Sequence, residues 1–177
     1  MYLEKPVKRR FPKVPFDRRA YAFLIDFVTV WLISSITSNP FLQLLTFMGA
    51  WFGLRVILVQ TNQGQSLGRW ALDMKVINGR YNRMPGLVSL AKREGILGFA
   101  AYLSMIGLNL TFINAMSTLL LICPLLADGC FALANENYNE AFHDRLAETI
   151  VIQTRRGFSL DLRLKKIVAE VRRNMRK

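Results

Sequence analysis

The chain has 177 residues, 52% of them hydrophobic, and a formal net charge of +12. That length allows one ordinary domain, and the apolar share is high for a soluble one. Residues 1–19 carry +5, residues 154–177 carry +7 and residues 20–153 carry none, so the basicity does not come from a nucleic-acid-binding face and fits a membrane core with basic ends.

Residues 1–18 form a basic tail. The charged leader is long, Asp26 interrupts the first apolar run and no small-residue cleavage site follows, so a cleaved secretory signal is not expected. The first apolar run is 20–38, closed by the turn signal Asn39-Pro40. The second is 41–60, the third 95–111 and the fourth 112–134. Each approaches the roughly 20 residues a helix needs to cross the hydrocarbon core, and each is apolar on every side, unlike the striped helices of a soluble bundle. The third is the shortest, with a re-entrant or interfacial segment as its alternative reading. The expected fold class is therefore an all-α membrane protein: a bundle of about four transmembrane helices with amphipathic cytoplasmic segments and basic tails. With four spans, every Lys/Arg-rich segment falls on one side, which the positive-inside rule makes cytoplasmic, together with both termini.

Gly49 and Gly53, one turn apart in the second run, are predicted to let another helix approach closely. Pro124 is predicted to kink the fourth. Cys123 and Cys130, seven residues apart in that run, are about 10 Å apart on a helix, too far for a disulfide, and read as small buried hydrophobes. Between the second and third runs, a Gly/Gln/Ser loop leads into the amphipathic stretch "RWALDMKVI", then a turn at Asn78-Gly79, then "PGLVSLAKRE", predicted as a surface helix. After residue 153 the chain predicts a basic amphipathic helix with Leu160, Leu164, Ile167, Val168 and Val171 on one face and Ser159 as N-cap. No internal repeat is apparent.

Asp26 needs an answer to its charge, since a carboxylate at the centre of a span costs about 2.5–3.5 kcal/mol on insertion scales. Counting 1.5 Å per residue from the 39–40 turn puts Asp26 about 18 Å and Arg55 about 21 Å away. A buried Asp26–Arg55 ion pair is therefore expected. Asp128 is a candidate second acid for the same cluster. Arg19, two turns before Asp26, is read as an anchor at the headgroups. The pair either fixes helix register or forms a cation or proton site.

These residues also belong to a pattern. "RRAYAFLID" (18–26), "GQSLGR" (64–69), "AKRE" (91–94) and "HDRLAET" (143–149) occur in the order found in the RDD family of small integral membrane proteins, which the chain resembles over about 19–152. The family is named for an arginine and an aspartate of the first membrane helix and a further aspartate. The resemblance implies that the arginine is Arg18 or Arg19, with Arg19, next to Ala20, preferred, and that the aspartates are Asp26 and Asp144, with Glu148 where the family has glycine. It implies a loose association with transport, including cation/proton exchange. The wording is similar to bacterial members, cyanobacterial ones included, which implies a bacterial inner or thylakoid-type membrane.

A single histidine is too few for a metal phosphohydrolase shell or a catalytic triad, and "GQSLGR" lacks the Gly-Lys-Ser/Thr ending of a P-loop. His143, with Asp144, Arg145 and Arg93, is expected to form a cytoplasmic polar cluster. No enzyme activity, cofactor, metal or nucleic acid is expected. The expected partners are the bilayer with its anionic headgroups and other membrane subunits. The expected role is that of an accessory or assembly subunit, with a small oligomeric cation/proton transporter as the alternative.

Overall fold

The computed structural model describes residues 14–110, 114–134 and 140–154, with Arg173. The basic N-terminal tail up to residue 13 and the predicted C-terminal amphipathic helix lie outside these residues. Helix α1 (Phe16–Ser34) enters from Pro15. Asn39 then caps the next helix: its Oδ1 accepts the Phe41 and Leu42 amides, with Pro40 in the first turn, where a missing N–H costs nothing. Helix α2 (Pro40–Phe52), a π-helical turn (Gly53–Ile57) and α3 (Leu58–Thr61) run on as one rod, Pro40–Thr61. Short α4 (Leu67–Ala71) leads into strand β1 (Met74–Asn78). Helices α5 (Leu87–Leu110) and α6 (Ala115–Ala134) follow, then short α7 (Phe142–Leu146) and strand β2 (Thr149–Gln153).

Several expectations change. The fold is mostly helical but not all-α, because β1 and β2 pair antiparallel with Val76 opposite Val151. Within the amphipathic stretch the short helix gives way to a strand, "MKVIN", since Met74, Val76 and Val151 turn one face into a core while Ile77, Ile150 and Ile152 pack on the other. The predicted surface helix 85–94 and third span 95–111 merge into one helix, α5, because nothing between Leu87 and Leu110 breaks it. Helix α1 starts and ends about a turn earlier than the first apolar run suggests.

The order of elements also repeats. Two long helical segments, a five-residue helix, a two-residue turn and a five-residue strand occur twice, as α1 to β1 and as α5 to β2. In both turns the residue before the strand is left-handed: Asp73 has φ 54° and Glu148 has φ 52°. That backbone explains why glycine suits position 148 in the family pattern.

Two apolar cores result. One lies among the long helices around Phe27, Phe47, Trp51 and Met105, with the Phe47 and Trp51 rings stacked 5.8 Å apart. The other joins Val14, Val59, Leu90 and the inner face of the β ribbon. Among the described residues, two helices, Pro40–Thr61 and Ala115–Ala134, are long and apolar enough to cross a membrane, and only 28% and 11% of their apolar windows are buried within the protein. The core helix of a soluble protein would be mostly covered. On α6 the free face includes Cys123 and Cys130, which are exposed rather than buried, because α6 meets α5 through Thr118 and Leu121 at Gly107. Pro124 is accommodated inside α6.

The close approaches are not at Gly49 and Gly53, where an added methyl group would meet nothing within 4 Å. They are at Gly98, where it would lie 2.6 Å from the Trp51 ring, and at Gly68, where it would strike the Ala22 carbonyl oxygen. Gly68→Ala should therefore cost about 1–3 kcal/mol through overpacking, whereas Gly49→Ala should be neutral or slightly stabilising as helix propensity improves. Unfolding of the two variants in detergent checks this, and equal stability of both would contradict the packing described.

Candidate functional site

Between the two cores lies a layer of charge. Each long helical segment contributes from the same end: Arg19 from the first turns of α1, Arg55 from the π turn of the rod, Arg93 and Glu94 from the second turn of α5, and Asp128 from the last turns of α6. The short helices α4 and α7 close over this end with Arg69 and Asp144.

Asp26 is fully buried and accepts three hydrogen bonds. Ser66 Oγ (2.6 Å) and Arg55 Nη1 (3.3 Å) donate to Oδ2, and the Gly68 amide (2.7 Å) donates to Oδ1. The predicted Asp26–Arg55 pair is thus present, but it is one contact of several. The second acid on Arg55 is Glu94, not Asp128: Arg55 Nε donates to Glu94 Oε2 at 2.7 Å, and Arg69 Nη2 donates to Oε1 at 3.0 Å. The π turn, an irregularity often found at functional sites, carries Arg55, and the Trp51 ring supports its guanidinium at 4.8 Å. Trp51 Nε1 donates to the Glu94 carbonyl at 3.1 Å.

Asp144 is the second hub. Arg19 donates to its Oδ2, and Arg93 Nη2 lies 2.7 Å from its Oδ1. Arg19 is thereby a ligand of Asp144 and not a free headgroup anchor, because α7 folds back over the start of α1. Asp128 belongs with His143: His143 Nδ1 donates to Oδ2 at 2.6 Å and the His143 amide to Oδ1 at 3.1 Å. His143 Nε2 then lies 3.3 Å from Asp144 Oδ1. Arg145 is exposed and outside this contact set, since its position on α7 faces away from the bundle. The intramembrane cluster and the cytoplasmic cluster expected separately are one network: four arginines meet three carboxylates, Arg93 joins the two hubs with its Nε 3.7 Å from Glu94 Oε1, and His143 adds Asp128.

Glu94, Arg69 and Ser66 were not singled out by sequence reasoning. Glu94 had a signal: like Asp26, it is an acid at the head of an apolar run. Arg69 and Ser66 stand inside the "GQSLGR" motif, whose role becomes plain only when Asp26 meets its turn.

These features define a helical membrane protein organised around a buried arginine–carboxylate layer, in which motifs distant in sequence meet at one place. The chain belongs to the RDD family: the family model, described as RDD family, matches residues 13–148. Arg19 and Asp144, which the resemblance suggests as the arginine and second aspartate of the family pattern, are ion-pair partners, and Asp26, suggested as the first, holds the "GQSLGR" turn. No curated protein and no solved structure matches the chain.

Two predictions follow from the geometry. Removing one charge from a buried pair typically costs about 3–5 kcal/mol. Glu94→Gln leaves Arg69 without its carboxylate and Arg55 with Asp26 alone and should incur a loss of that size, whereas Asp128→Asn, at a partly exposed position with one histidine partner, should lose less. Denaturant unfolding of both ranks them. The second concerns acid. Burial alone would raise the Asp144 carboxyl, but Arg19 and Arg93, with His143, outweigh it and hold the group well below the usual carboxylate range. A depressed folded-state value means that the stabilisation is complete at neutral pH and is lost only as pH falls below about 4, where the unfolded chain takes up the proton first. Asp144→Asn should therefore flatten the stability profile below pH about 4, and an unchanged acid limb would contradict the assignment.

Proposed function

We propose that the chain is a non-enzymatic membrane protein with four spans (α1, the Pro40–Thr61 rod, α5 and α6) that serves as an accessory or assembly subunit of a larger membrane complex. The charged ends of the four segments, the basic tails and the cap of α4, α7 and the β ribbon then lie together on the cytoplasmic side, as the distribution of Lys and Arg favours. The proposed setting is a bacterial inner or thylakoid-type membrane. Exposed Leu67, Trp70, Phe142 and Leu146 on the short helices suit the headgroup region, where amphipathic and aromatic side chains collect.

The observation that carries the reading is the uncovered side of α6. Met116, Leu119, Leu120 and Leu126 are 57–75% exposed on a helix whose other side packs on α5. Gly49, also exposed, leaves room on α2 for a second close approach. Cation exchange finds less support, because Asp26, Glu94 and Asp144 are already held by arginines and none is free to coordinate a cation. The basic tails would grip acidic partner surfaces or anionic lipid.

Purification from the native membrane in mild detergent and moderate salt tests this. Recovery at fixed stoichiometry with a larger complex is expected, with loss of that partner in Leu120→Arg while the melting profile holds. Recovery of the wild type only as free protein or homo-oligomer would overturn the proposal. Ion flux in proteoliposomes that disappears in Asp26→Asn would instead establish an exchanger.

A further inference from the structure

The charge layer is open on one side. A cavity of about 430 Å3 lies between α1 and α6, within the roughly 300–1,000 Å3 typical of small-ligand sites. Its polar end and its apolar end differ sharply. Arg19, Arg55, Arg69 and Arg93 all line it, while their partners Asp26, Glu94 and Asp144 do not. The carboxylates of Asp26, Glu94 and Asp144 stay off the wall, so the charge that reaches the polar end is largely that of arginine. Asp128, the one acid among the described residues of the wall, is engaged by His143.

The arginines also have donors to spare. Nη1 of Arg69 and both Nη1 and Nε of Arg93 make no hydrogen bond, although these residues are only 3% and 1% exposed. Buried donors without acceptors are unfavourable, and an incoming anion would relieve them. The remaining walls are apolar: Phe23, Leu24, Leu97, Leu125, Leu126 and Leu133. Leu24, Leu126 and Leu133 are 49–60% exposed and form the rim, so the cavity opens sideways between two helices. An inorganic anion would satisfy the arginines but leave the apolar walls wet. A neutral lipid would fill the walls but leave the donors unmet.

We propose that this cavity binds one anionic membrane lipid. A phosphate oxygen of its headgroup accepts from Arg69 and Arg93, and an acyl chain lies along Phe23, Leu125 and Leu126 between α1 and α6. The site goes beyond the accessory role and does not depend on the identity of any partner. It agrees with the membrane placement above, because the arginines are at the ends of the helices, where headgroups lie.

Native mass spectrometry of the full-length protein released from detergent tests this with three probes: phosphatidylglycerol, phosphatidylcholine and inorganic phosphate. One phosphatidylglycerol should be retained at least tenfold more tightly than phosphatidylcholine, and phosphate alone should not compete at equal concentration. Ala20 lines the cavity and Cys123 on α6 does not. Ala20→Trp should therefore abolish retention by filling the space, whereas Cys123→Trp should leave it intact. Arg69→Gln should remove the preference for the anionic lipid. If Arg69→Gln fails to fold, the Ala20 and Cys123 pair still decides. Equal retention of the two lipids, or retention that survives Ala20→Trp, would reduce the binding to an ordinary lipid annulus. Phosphate binding with no lipid retained would make this a soluble-anion site. Either result overturns the proposal.

Discussion

Three carboxylates, those of Asp26, Glu94 and Asp144, have no contact with solvent, and each must be met by donors inside the protein. No single segment can supply them. Asp26 takes its donors from the π turn and from the start of α4, Glu94 from the π turn and α4, and Asp144 from α1 and α5. Satisfying all three therefore requires the long helices to converge at one end and the two short helices to fold over it. Buried ion pairs are seldom more stabilising than apolar residues of the same size. The apolar cores on either side, around Trp51 and around Met74 and Val76, supply the burial energy. The charge layer between them selects one arrangement, because any other leaves a full charge unpaired.

That layer also explains the repeated order of elements. In the first half, the amide of the second residue of α4, Gly68, donates to Asp26 on α1. In the second half, the amide of the second residue of α7, His143, donates to Asp128 on α6. In both, a long helix presents an acid to the free N–H groups at the start of a short one, where a negative charge is favoured. The third residues of α4 and α7 are Arg69 and Asp144, of opposite sign, and each reaches across to the other half: Arg69 to Glu94 on α5, Asp144 to Arg19 on α1. The antiparallel β ribbon then ties the halves together a few residues later. The two halves are thus interlocked by exchange of charge as well as by strand pairing, and neither is complete alone.

Much of this was legible in the sequence, for definite reasons. The apolar runs mark the long helices because their composition is dictated by the environment along their whole length. The Asp26–Arg55 pair was found because a tight connection between adjacent helices sets their relative depth. The same arithmetic failed for Asp128 and Arg19, since it treats each span as bare and ignores α7, which interposes His143 and Asp144. The β ribbon was invisible for a related reason. "MKVIN" and "TIVIQ" lie far apart in the chain with no hairpin turn between them, and a five-residue apolar run does not by its period distinguish strand from helix. Gly49 and Gly53 matched a packing motif, yet the constraint fell on Gly68 and Gly98, because close approach depends on which face meets a neighbour and spacing along one helix does not reveal that.

The choice of arginine narrows what such a layer can do. A guanidinium stays charged at any working pH and offers five donors in a fixed plane, so four arginines make a rigid cationic lattice and a poor proton relay. A coupling cycle that neutralised Glu94 would leave Arg69 without its counter-charge, and one that neutralised Asp26 would leave Arg55 with Glu94 alone, a carboxylate it shares with Arg69, in a place where an uncompensated cation is costly. The network resists that change on its carboxylate side. Where it remains unsatisfied is the opposite side, on the Arg69 and Arg93 nitrogens that lack acceptors beside the α1–α6 cavity. The unmet demand of this site is for negative charge, and the proposed lipid site answers it: the arginines that hold the bundle together would also recognise the headgroup of the membrane in which the protein is proposed to sit.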